Sequence, residues 1–132
     1  MTFGESVSTC LKKYFVFEGR ASRSEYWWFQ LIVTPSYFIS TVLENEISYI
    51  FLVITIFTLI PAISAGVRRL HDTNRSGFFL LISLIPFIGG LVLLFFLIPE
   101  GTKGKNRFGP DPSKKITRKK NIVKLFGILI LD

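Results

Sequence analysis

Cysteine and histidine each occur once in these 132 residues, as Cys10 and His71. A lone cysteine excludes a disulfide within the chain, and one of each excludes a zinc site built from those two residue types. No nucleophile elbow, HExxH helix or phosphate-binding loop is present. So few convergent polar groups predict neither an enzyme nor a resident cofactor or metal. Charge is also missing from three long stretches, residues 26–43, 47–66 and 77–99. At about 1.5 Å per helical residue each approaches or exceeds the roughly 30 Å of a hydrocarbon slab.

What fills those stretches is apolar: 49% of the chain is hydrophobic, with 14 Phe and a mean hydropathy of +0.46. A water-soluble domain this small must cover its core with polar residues, and this one does not have them. Only helices satisfy their own backbone in lipid without closing a barrel. The composition therefore predicts an all-α membrane protein, a small bundle of three transmembrane helices over about 24–43, 47–70 and 77–99. The first run starts too far from Met1 for a signal peptide and is expected to remain in the mature chain.

Before it, Thr2 and Glu5 have capping-box spacing, and Phe3, Val7 and Leu11 recur at helical intervals. This predicts an interfacial amphipathic helix over 2–16, lying in the headgroup region, with packing under the bundle as the alternative. Ser22 and Glu25 form a second capping-box pattern, followed by Tyr26, Trp27 and Trp28 where a membrane boundary favours amphipathic rings. Glu44, Asn45 and Glu46 leave room only for a tight turn between antiparallel spans. Residues 1–112 read as one membrane domain, and 113–132 as a basic tail with a short apolar end.

The basic residues decide orientation. Four precede the first span, three lie in the loop after the second (Arg68, Arg69, Arg75) and nine follow the third. The positive-inside rule places the N-terminus and the second loop in the cytoplasm. Three straight crossings would then export the nine-charge tail, against that rule. Re-entry at Pro86–Gly90 would return the tail, but neither half of the third run is long enough to span alone. Length favours three full crossings, and the break leaves a broken or re-entrant third run as the alternative.

The stretch RRLHDTNRSGF, residues 68–78, concentrates polar chemistry between two apolar runs. Asp72 stands four residues after Arg68, three after Arg69 and three before Arg75, spacings that share a helix face. His71 and Asp72, as neighbours, point about 100° apart on a helix and do not make a base and its orienter. The cluster reads first as a topology anchor and salt-bridge knot, and second as an anion or lipid-headgroup cradle of Arg20, Arg23, Arg68, Arg69, His71, Arg75 and Arg107. Glu25, Asp72 and Asp111 are the expected salt-bridge partners. If half-solvated, such a pair contributes on the order of 1 kcal/mol.

A net charge of +7 would suit nucleic acid, yet the basic tail has no interleaved aromatics for base stacking. Anionic phospholipids are the expected partner, joined by a second copy or another membrane protein. The alternative is a channel or transporter subunit, and against it no acid or base lies within the apolar runs 26–43, 47–66 and 77–99.

Three segments taken together, residues 17–29 (FEGRASRSEYWWF), 68–78 and 101–109, resemble the domain of unknown function 805 family of small bacterial inner-membrane proteins. The likeness covers about residues 10–112, with Phe78 where that family more often has Trp. It implies a bacterial cytoplasmic membrane location and a compact multi-pass architecture, and it supplies no mechanism.

Overall fold

A computed structural model describes residues 1–131, with the side chains of Lys115, Ile130 and Leu131 outside that description. Asp132, the end of the expected tail, lies outside it too. The described chain forms helix α1 (Phe3–Lys12), α2 (Arg23–Val42), α3 (Glu46–Asp72), a 3-10 segment (Gly77–Leu84), α4 (Ile88–Leu97) and α5 (Pro112–Leu131).

α1 begins with the full capping box: Thr2 Oγ1 accepts from the Glu5 amide, and Glu5 accepts from the Thr2 amide. Its inward face is small and polar. Ser6 and Cys10 are buried, and Ser6 Oγ donates to the Glu25 carbonyl, so α1 packs closely on the start of α2. Beyond α1, Tyr14 Oη donates to the Phe57 carbonyl at 2.6 Å, halfway along α3. These contacts pack α1 against the start of α2 and the middle of α3.

α2 and α3 run antiparallel, joined by a turn in which Asn45 Oδ1 caps α3 by accepting from the Ile47 amide. Pro35 and Pro61 lie inside these helices without ending them. On these helices Ser36, Thr58 and Ser64 are buried, whereas Leu31, Phe38, Val53, Ile56 and Phe57 face outward. Small polar residues inside and large apolar ones outside is the pattern of helices that pack in lipid. α3, at 27 residues, has the length and apolarity to cross a membrane. The aromatic and aliphatic core, including Tyr26, Phe29, Leu70, Leu93 and Leu97, gathers around its C-terminal half.

The third apolar run is not one continuous helix: the straight span expected over 77–99 is replaced by the broken run kept as its alternative. Its first half is the 3-10 segment, the chain reverses at Pro86–Phe87, and α4 returns. Phe87 has φ +64°, left-handed backbone that few non-glycine residues adopt. The two halves press together: a methyl group at Gly89 would overlap the Ile82 carbonyl, and the Phe79 and Phe96 ring centroids lie 5.6 Å apart. Both ends of the hairpin meet the same end of α3, since Gly77 packs on Val67 and Arg69 Nε donates to the Leu97 carbonyl at 3.0 Å. Counting residues measured the length of the run but not its direction, which the break at Pro86–Gly90 sets.

The expected basic tail is helical over Pro112–Leu131. Asp111 caps α5 by accepting from Ser113 N at 2.9 Å, and Pro112 occupies the first helical position, where its missing amide costs nothing.

Candidate functional site

The hairpin brings the loop after α4 back to the end of the molecule where α2 starts and α3 stops. Ser22 Oγ accepts from the Glu25 amide at 3.2 Å, which starts α2 and sets Glu25 on its first turn. The second half of the expected capping box is absent because the Glu25 carboxylate is taken by Arg68 Nη1 at 2.5 Å. Both side chains are buried.

One turn of α3 further on, Asp72 receives two guanidinium groups. Arg69 reaches it from the preceding turn, and Arg20 Nε reaches it at 2.9 Å from 52 residues away. The remaining donors of both arginines go to backbone carbonyls. Arg69 donates to Ala21, Leu97 and Pro99. Arg20 donates to Thr102, Gly104 and Gly109, the Gly104 bond being 2.6 Å. One carboxylate and two planar forks thus tie the start of α2, the end of α3, the exit of α4 and the following loop into one clasp. Burial strengthens each charge-assisted bond but makes loss of any partner costly. Arg68 Nε and Nη2 have no partner within the described residues. Gly101 closes the clasp: a side-chain carbon there would overlap the Asp72 carboxylate.

The outer rim is aromatic. The His71 ring lies parallel to Phe108, 3.9 Å between centroids at 3°, and its Nδ1 is 3.0 Å from the Gly19 carbonyl. Arg107 sits over the Phe108 ring at 4.7 Å and Arg75 over Phe96 at 4.6 Å. Asn106 Nδ2 donates to the His71 carbonyl at 2.9 Å.

The residues read from sequence as one cationic cradle therefore divide. Arg20, Arg68 and Arg69 are buried and held by Glu25, Asp72 and carbonyls, while Arg23, Arg75 and Arg107 occupy the rim. Arg23 pairs with Glu100 in the open at 3.1 Å. Asp72 meets Arg69 but not Arg75, because α3 ends at Asp72 and Asn74 turns the chain away at φ +61°. Asp111, expected to pair with an arginine, instead accepts from Gly104 N and Ser113. A neighbouring cleft of about 560 Å³ is lined by Arg23 and Lys103 but also by Asp72, Glu100 and Asp111. Its balanced charge does not single out an anion. Among the described residues, no three His, Cys, Asp or Glu side chains gather in a way that could hold a metal ion.

Sequence reasoning missed the carbonyl acceptors of Leu97, Pro99, Thr102 and Gly104, since a backbone oxygen carries no residue signature. Phe108, the ring under Arg107, was within reach as an aromatic among polar residues, whereas Phe96 under Arg75 lies inside an apolar run and carries no such signal.

This architecture is that of a small helical protein whose apolar exterior is closed at one end by a buried ionic clasp. The chain belongs to the family described as "Protein of unknown function (DUF805)", whose model matches residues 14–110. It is 45% identical over 106 residues to inner membrane protein YhaI of Escherichia coli strain K12, covering 77% of this chain and 90% of that protein. It is 40% identical over 110 residues to inner membrane protein YhaH of the same strain, covering 77% and 91%. No solved structure matches the chain.

Proposed function

We propose that this protein is a multi-pass component of a bacterial inner membrane that works by binding or assembly rather than by chemistry. In this reading α2 and α3 cross, the hairpin of the 3-10 segment and α4 enters and leaves on one side, and the clasp faces the cytoplasm together with the N-terminus. The names of the relatives, the apolar outer faces of α2 and α3 and the collection of basic residues at one end support it.

The observation that carries the binding reading is the commitment of the central polar groups. Arg20, Arg68, Arg69, Glu25 and Asp72 are buried and bonded to one another or to backbone. Such a set fixes loop ends. It offers a ligand only its rim: Arg23, Arg75 and Arg107, suited to anionic phospholipid headgroups. The exposed apolar faces of α2 and α3 suit lipid or a partner helix, a second copy included.

Cross-linking in native membranes tests the assembly reading, with a defined cross-linked partner or dimer as the expected result and a persistent monomer as the opposing one. Ion flux through the reconstituted protein would favour a channel or transporter subunit instead.

A further inference from the structure

Helix α5 lies beyond the 14–110 family match, and its described side chains are almost all exposed. Its chemistry is divided along its axis rather than around it. Lys114, Arg118, Lys119 and Lys120 occupy the first half on several faces, whereas from Ile122 onward the only charge before the end of the helix is Lys124. Val123, Leu125, Phe126, Ile128 and Leu129 stand open. Ten residues at about 1.5 Å each reach roughly 15 Å, half of a hydrocarbon slab. The segment is too short to cross and too apolar to remain in water.

Direction supports the same reading. α5 starts beside Met1 and the Ser22–Ser24 turn, and Lys119 Nζ meets Glu5 at 3.4 Å across an open groove of about 860 Å³ between α5 and α1. It therefore runs in the same sense as α1, which leads toward Tyr14 and the middle of α3. The basic half stays level with the clasp, and the apolar half points toward the depth of the bundle.

We infer that α5 is a leaflet-deep anchor, its basic half among anionic phospholipid headgroups and its apolar half in the acyl chains of a single leaflet. This rests on the membrane placement proposed above. Each basic residue near an anionic surface contributes about fivefold to partitioning, so removing four weakens insertion by well over tenfold.

The test uses the full chain in phosphatidylcholine vesicles with and without phosphatidylglycerol. Bimane is placed at Lys120→Cys, Leu129→Cys or Val53→Cys, the last on the outer face of α3, and the parental chain controls for Cys10. Acyl-chain nitroxide lipids should quench Leu129→Cys and Val53→Cys, and aqueous iodide should quench Lys120→Cys. Replacing Lys114, Arg118, Lys119 and Lys120 with Gln should shift the Leu129→Cys label toward iodide at least tenfold in the anionic vesicles. Iodide access at Leu129→Cys while Val53→Cys is lipid-quenched overturns the anchor alone. A Val53→Cys label open to iodide overturns the membrane placement and the anchor with it. A Leu129→Cys label shielded from both quenchers puts α5 on protein, and equal insertion without phosphatidylglycerol removes the headgroup role; either overturns the inference.

Discussion

Arg20 and Asp72 meet at 2.9 Å across 52 residues of chain, and both side chains are almost wholly buried. The pair lies where the start of α2 passes the end of α3, and Arg20 continues from it to three carbonyls of the 102–109 loop. An exposed pair would contribute on the order of 1 kcal/mol, but a buried one leaves an uncompensated charge when broken. Arg20→Ala or Asp72→Ala should therefore lower stability by about 3–5 kcal/mol. A fall of that size in the detergent unfolding free energy would separate the clasp from the half-solvated anchor expected from sequence.

The control is Arg23. Its pair with Glu100 is exposed on both sides, so Arg23→Ala should change stability by less than about 1 kcal/mol. Equal losses at Arg20 and Arg23 in the same melts would contradict the division into clasp and rim.

Much of this was written in residue types, and some was not. Thr2 and Ser22 announce their helix starts because hydroxyl caps are local and need no tertiary partner. Arg68, Arg69 and Asp72 announce an ionic knot for the same reason, through helical spacing. Which carboxylate takes which arginine depends on how the start of α2 meets the end of α3, and the reversal at Phe87, which brings in the carbonyl acceptors, is a backbone event that Pro86, Gly89 and Gly90 signal without giving a direction. The α5 start at Asp111 and Pro112 was legible as a cap followed by proline at the first helical position.

Gly89 lets the two halves of the hairpin touch. Gly89→Ala would force its methyl group against the Ile82 carbonyl, at a cost of about 1–3 kcal/mol as overpacking. Gly90, with open space around it, should accept alanine. Disulfide formation between Phe79→Cys and Phe96→Cys, read in each background, would report the separation of the halves; equal yields would argue against close packing at Gly89.

Cys10 should be chemically silent in the folded protein. Burial, then the nearby Glu25 charge, pushes its thiol up from 9.0 to about 11, so it stays neutral and shielded near pH 7. Maleimide should label it only after denaturation. Because the folded value lies above the unfolded one, the neutral thiol leaves stability unchanged below pH 9 and lowers it as pH rises from there through about 11. Rapid labelling of the native chain would show that α1 leaves the bundle.

His71 holds the 102–109 loop by its face, at Phe108, and the Gly19 carbonyl by its edge. His71→Ala should cost about 1–2 kcal/mol through loss of the Phe108 stack and the Gly19 contact. His71→Phe should recover the stacking share. If His71→Phe were as unstable as His71→Ala by thermal unfolding, the ring contact would not be what secures the loop.

A hairpin that leaves through the face it entered simplifies how such a chain could be made. On the proposed placement, the described polar segment that must be carried to the far side is the turn around Glu44, Asn45 and Glu46. The clasp forms late, when Thr102, Gly104 and Gly109 have emerged to receive Arg20, a residue synthesised some eighty positions earlier. Until then Arg20 lacks its three loop carbonyls. A nascent chain stopped before residue 102 would hold its helices without the lock that joins them, and a newly made molecule would be most exposed to quality-control proteases in that interval.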